Sequence, residues 1–141
     1  MKFILPLRVH KSKNKLFSLN LNAWRNAHYQ VLNKTKKEFK EIFKRKYGYA
    51  ARMFKAPVRI TYTIFFANKR NTDLGNVGAI IGKYAEDCLV ELQYLEDDSR
   101  KIVKEIRYKD GGVDREDPRC EMVVEEIEKG DLKVYNRLVR W

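Results

Sequence analysis

Between residues 73 and 98 the chain carries the side chains that hard-cation chemistry uses: Asp73 and Asn76, then Lys83 and Asp87, then the pair Asp97–Asp98 in the stretch YLEDDSR. Magnesium takes oxygen ligands, commonly one or two carboxylates completed by water and substrate phosphate. An ion held in this way activates water and offsets the charge that develops on phosphorus, and a neighbouring lysine adds positive charge for the transition state. Such carboxylates need to converge in space, not in sequence. Each residue also has a plain structural reading. Lys83 and Asp87 stand at the i, i+4 spacing of a helical ion pair, worth about 0.2–0.5 kcal/mol. Asp73 suits a helix cap, and Asp97–Asp98 suits a polar turn.

The elements that must position this set can be read from periodicity. A helix is expected from about Asn76 to Leu92. At about 100° per residue, Asn76, Lys83 and Asp87 fall on one line of it. Val77, Ile81, Tyr84, Cys88 and Leu92 form the apolar face beside that line. Asp73 then precedes the helix, and Asp97–Asp98 follow it, ahead of a strand at KIVKEIRYK (101–109). Upstream, VRITYTIFFA (58–67) is a β-branched and aromatic strand. KFILPLRV (2–9) reads as a strand that pairs with KLFSLNL (15–21) across HKSKN. Asn20 or Asn22 then caps one long helix to about Lys46. Its apolar face carries Trp24, Val31, Leu32, Phe39, Ile42 and Phe43, with His28 and Thr35 in the same stripe. CEMVVEEIEK (120–129) alternates as a partner for 101–109, the two forming a hairpin with a long loop. The tail DLKVYNRLVRW fits strand or helix. The order β(β)-α-β-α-β-β implies a single α+β domain spanning 1–141, a mixed, mostly antiparallel sheet with two main helices.

Composition bounds the partner. A chain of 141 residues supports one hydrophobic core. Its net charge of +11 is unevenly spread. Residues 1–70 hold 18 Lys and Arg against 2 acids, Glu38 and Glu41, for +16, whereas residues 71–141 carry −5. A basic half of this strength points to a polyanion, because Lys and Arg contacts to phosphate release counterions. No strongly apolar face accompanies the charge, which argues against an anionic membrane surface. Cys88 and Cys120 fall in no C-x-x-C pair and read as free thiols in a reducing compartment. The opening MKFILPLRVHK is not expected to act as a signal peptide, since Pro6 and Arg8 interrupt its apolar run. No stretch reaches the roughly 18 apolar residues of a membrane span. A cytoplasmic protein is the expectation.

The segment TDLGNVGAIIGKYAEDCLVELQYLEDDSRKIV (72–103) resembles the signature of RusA-type Holliday junction resolvases, small homodimeric endonucleases. That pattern runs D-x-D-N, then a lysine, then D-A-L four residues on, then a D-D pair that ends eleven residues beyond the first of those. Asp73 and Asn76 match its start and Lys83 its lysine. Asp87-Cys88-Leu89 stands for D-A-L and Asp97–Asp98 for the final pair. The motif covers about a quarter of the chain, and the element order extends the likeness more weakly to most of it. Two features depart from the pattern. Gly75 stands where the second aspartate is expected, and Lys83 lies seven residues after the asparagine rather than three. The four extra residues keep Lys83 on nearly the same helix face, about 6 Å further along the axis.

The resemblance implies a magnesium-dependent endonuclease, with manganese as a substitute. Its substrate would be branched DNA, four-way junctions above all, in recombination, repair or phage DNA processing. It also implies a two-fold homodimer, which suits two opposed cuts. On this reading Asp73, Asp87 and Asp98 bind the metal with Asp97 assisting. Lys83 stabilises charge on phosphorus, Asn76 positions Asp73 or the substrate, and Asp87 stands in for the charge missing at Gly75. Lys11, Lys13, Lys15, Lys69 and Arg70 neutralise phosphates. Two other readings stay open: a branched-DNA-binding protein that has lost turnover through Gly75, and a structural or RNA-binding protein whose acidic cluster is solvated surface.

Overall fold

The computed structural model describes residues 1–128 and 130. Along them run strands β1 (Lys2–Leu5), β2 (Arg8–Ser12) and β3 (Lys15–Ser18), then helices α1 (Leu21–Asn26) and α2 (Tyr29–Tyr47). Strand β4 (Val58–Phe66), helix α3 (Leu74–Glu91) and strands β5 (Val103–Val113) and β6 (Arg119–Glu126) follow. Four strands form one sheet in the order β1-β6-β4-β5, and β2 and β3 form a separate hairpin. β6 is antiparallel to both β1 and β4, whereas β5 runs parallel to β4. The expected α+β class, mixed sheet and element order are those of the structure.

Alternation along the strands builds the core. Val58, Ile60, Tyr62 and Ile64 of β4 are fully buried, as are Phe3 of β1 and Cys120 and Met122 of β6. The register sets Phe3 against Met122 and Met122 against Tyr62, so these side chains share one face. Helices α2 and α3 cover that face. Phe43 of α2 stacks on Phe3 at 5.2 Å, and Phe39 meets Tyr84 of α3 edge-on at 5.6 Å. Where the two helices meet, the Thr35 and Tyr84 hydroxyls share a buried hydrogen bond of 2.8 Å. The opposite face carries ion pairs, Arg59–Glu105–Arg107 and Lys2–Glu121–Arg119. Burial pushes both free thiols, Cys88 and Cys120, up to about 12.

The local structure differs from the expectation at three places. The strand expected over 2–9 is two strands. Pro6 has no N–H to offer a ladder, and it falls between β1, which joins the main sheet, and β2, which pairs with β3 as expected. The single helix expected from Asn20 to Lys46 is also divided. The Asn20 side chain caps α1 by accepting from Ala23 N–H at 2.8 Å. The chain then leaves helical geometry at Ala27–His28, and His28 Nδ1 accepts from Gln30 N–H as the cap of α2. His28 is thus a cap, not a stripe residue. Finally, the expected hairpin of 101–109 with 120–129 does not form, because β4 lies between those strands. β4 is the most completely buried strand and takes a partner on each side, leaving the largely exposed β5 at the edge. The tail DLKVYNRLVRW lies outside the described residues. No helix among the described residues is long and apolar enough to cross a membrane.

Two substitutions test this packing. Thr35→Val leaves the buried Tyr84 hydroxyl without its partner and is expected to cost about 1–3 kcal/mol in a urea melt. A Cβ at Gly78 would stand 2.5 Å from the Tyr108 ring. Gly78→Ala gains about 1 kcal/mol of helix propensity but overpacks the interface by about 1–3 kcal/mol, so a net loss of stability is expected.

Candidate functional site

Helix α3 starts where Asp73 turns the chain. Its carboxylate accepts from Gly75 N–H at 2.9 Å and caps the first turn. The helix then presents Val77, Ile80, Ile81, Tyr84, Ala85, Cys88 and Leu89 to the core. Two glycines thin the helix where it meets the sheet. Gly78 admits the Tyr108 ring, and Gly82 admits the pair formed by Tyr62 and Glu86. Tyr62 is wholly buried, and its hydroxyl donates to Glu86 Oε2 at 2.8 Å.

Beside this contact a cleft of about 310 Å³ opens between α2, α3 and β5. Lys36 reaches it from α2, and Lys83, Glu86 and Asp87 from α3. Asp98 comes from the α3–β5 connection, and Ile106 and Tyr108 from β5. Three carboxylates and two ammonium groups therefore face a half-apolar wall. Glu86 titrates above the usual carboxylate range, first because it is buried. The Tyr62 hydrogen bond opposes this, and Asp98 and Asp87 add to it. Asp87 is also raised, again first by desolvation; Lys36 pulls it down while Asp98 and Glu91 push it up. Lys83 makes no ion pair with Asp87, and its ammonium instead sits 5.4 Å from the Trp24 ring centroid. This cation–π contact holds Lys83 at the cleft beside the carboxylates instead of in a pair with one of them.

The structure divides the residues singled out by sequence. Lys83, Asp87 and Asp98 line the cleft together. Asp73 does not, because it caps the opposite end of α3. Fourteen residues at 1.5 Å per residue separate it from Asp87 by about 21 Å along the axis, so the two cannot ligate one ion. Asn76, in the first turn of α3, stays near Asp73, donating its N–H to the Asp73 carbonyl at 3.1 Å. Asp97 is a turn residue, its carboxylate accepting from Asp98 N–H at 2.8 Å. Gly75 also lies at the far end, so a carboxylate there would not complete this cleft. Among the described residues no group of three or more His, Cys, Asp and Glu side chains is placed to hold a metal. Lys11, Lys13 and Lys15 lie on the β2–β3 hairpin, and Lys69 and Arg70 on the β4–α3 loop. Lys69 and Arg70 border a hollow with Asn68, Thr72 and Asp110.

Sequence reasoning missed Glu86, Lys36, Tyr62 and Tyr108. Glu86 is next to Asp87 but about 100° round the helix, so projection alone assigns it to another line. Its place depends on Gly82 and on Tyr62 beneath it. Lys36 follows Thr35, the residue that docks on Tyr84, and that docking brings it beside residues 83–87. Tyr108 is placed by the parallel register that pairs it with Tyr62.

Removing the Tyr62 donor destabilises the Glu86 carboxylate, so Tyr62→Phe should raise the Glu86 pKa further, read by carboxyl ¹³C NMR titration. For stability the sign follows from the raised folded-state value. The unfolded chain releases this proton first, so the cost of ionising Glu86 is absent at low pH and grows as pH rises through that range. Glu86→Gln should therefore raise Tm at pH 8 and leave it near the wild-type value at pH 4. No protein-family model matches this chain, and no curated protein matches it in sequence.

Proposed function

We propose that the chain is a magnesium-dependent endonuclease acting on branched DNA in the cytoplasm, with the four-way junction as its substrate and a two-fold homodimer as its working form. One observation carries the reading: Asp87 and Asp98 share a cleft with Lys36 and Lys83 on a chain whose first 70 residues carry +16. Magnesium is commonly content with one or two protein carboxylates, taking its remaining oxygens from water and substrate phosphate. Asp87 and Asp98 fit that requirement, and the upward push of Asp98 on Asp87 is the repulsion that a bound cation relieves. When bound, the ion supplies Lewis-acid activation of water and of the phosphoryl oxygens. Lys83 and Lys36 place positive charge beside the phosphorus, where negative charge builds up as the water oxygen bonds to it and the ester oxygen leaves. Glu86, the third carboxylate of the cleft, is anchored by Tyr62. Asp73 and Asn76 act at the other end of α3 as cap and first turn.

The cationic β4–α3 loop also suits a nucleic acid. Lys69 and Arg70 border a hollow that shares β5 with the cleft, Asp110 lining the one and Tyr108 the other, so one backbone can be held at both places. A second reading, a branched-DNA binder without turnover, is favoured by the absence of a convergent three-carboxylate group among the described residues.

The test is cleavage of a synthetic four-way junction with magnesium or manganese. Wild type should cut, Asp98→Asn and Asp87→Asn should each lose about 100-fold or more by loss of metal and charge support, and Asp73→Asn should stay within about threefold. Equal cutting by wild type and Asp98→Asn removes Asp98 from the site. Junction-selective binding without cutting by wild type selects the second reading.

A further inference from the structure

A second concavity lies at the opposite end of α3 from the carboxylates. It is a groove of about 590 Å³ between the β2–β3 hairpin, the end of β4 and the first turn of α3. Its walls are of two kinds. Leu16, Phe66, Val77 and Pro118 supply apolar surface, while Arg8 and Arg70 supply guanidinium groups. The strand registers explain both. Alternation in β3 sends Phe17 into the core and turns Leu16 outward, leaving it 47% exposed. Phe66 continues the Tyr62–Ile64 face of β4, but α3 does not begin until Leu74, so its ring is only half covered. Among the described residues neither Arg8 nor Arg70 is in an ion pair, in contrast to Arg107 and Arg119 on the sheet. Asn68 and Thr72 add amide and hydroxyl groups at the rim.

These walls match one kind of occupant. An aromatic and aliphatic floor takes the flat face of a nucleobase whatever its sequence, and arginines beside it take the flanking phosphates. A bare phosphate would leave Leu16 and Phe66 in water, and an apolar peptide side chain would leave both guanidinium groups unmatched. A base stacked within duplex could not enter, because its faces are already covered.

We infer that this groove holds one unpaired nucleotide, its base against Phe66 and Leu16 and its phosphates against Arg8 and Arg70. The inference rests on the reading that the partner is nucleic acid, and it is independent of whether the carboxylate cleft cuts. On a branched substrate it assigns the groove to an unstacked nucleotide at or beside the branch, and so gives the fold a means of preferring branched over continuous duplex.

The test is binding, not cleavage. Fluorescence anisotropy would follow a labelled twelve-nucleotide oligo-dT and a blunt duplex of similar length at one fixed low salt concentration, with wild type, Phe66→Ala and Leu16→Ser. Circular dichroism would check that each variant is folded. Each folded variant should lose about tenfold in affinity for the single strand and keep its affinity for the duplex. Leu16 is exposed, so Leu16→Ser alone decides the matter if Phe66→Ala does not fold. Unchanged single-strand affinity, or equal loss on both probes, overturns the groove while duplex binding leaves the nucleic-acid reading standing. Failure of wild type to bind either probe overturns both. As a second readout, an oligonucleotide carrying 5-iodouracil should photocrosslink to the peptide holding residue 66 or 16, and crosslinks confined to other peptides count against the groove.

Discussion

Because β5 runs parallel to β4, the chain must return along the whole length of the sheet between them, and α3 is that return. A parallel pair cannot be closed by a short turn. The consequence governs every candidate residue. Asp73, which opens the return, and Asp98, which closes it, are carried to opposite ends of an 18-residue helix. The fold therefore separates two concavities, a carboxylate cleft at the close of α3 and a groove with arginine walls at its start.

The same constraint explains the two glycines of α3. A crossover helix must lie close on the strands it connects, and here the strands offer tyrosines. Gly78 and Gly82 give up about 1 kcal/mol each of helix propensity relative to alanine; in return Gly78 seats on the Tyr108 ring, and Gly82 leaves room for the Glu86 carboxylate bonded to Tyr62. Tyr62 then acts as a buried post for Glu86. A glutamate facing the sheet would otherwise be a buried charge without a partner, which is costly; the hydroxyl offsets part of that cost and holds the side chain at the cleft edge.

Charge is distributed in space differently from its distribution along the chain. By sequence the molecule has a basic first half and a mildly acidic second half. In the fold, Lys36 of the basic half crosses to the acidic cleft through the docking of Thr35 on Tyr84, while Lys69 and Arg70 stay at the start of α3 with Arg8 of the hairpin strand. The cleft is thus a mixed site, with two ammonium groups set among three carboxylates. The proposed chemistry at a phosphodiester rests on that mixture.

Periodicity alone determined that β4, α3 and the two terminal strands exist, because their apolar side chains recur at the spacing of a strand or a helix and need no partner to be recognised. It also placed Lys83 and Asp87 on one line of α3, since helix geometry relates residues a few positions apart. It did not determine the break at Ala27–His28, which depends on a histidine cap. Nor did it reveal that β4 sits between β5 and β6, because alternation says which face of a strand is buried but not which strand lies beside it. That pairing decided part of the site. It added Tyr108 and set Tyr62 beneath Glu86, the docking of Thr35 on Tyr84 added Lys36, and the length of α3 held Asp73 and Asn76 away from Asp87. The physical reason is range: local sequence fixes angles over a few residues, whereas convergence across 21 Å of helix and between separate elements depends on how the sheet is ordered, a balance of burial summed over the whole core.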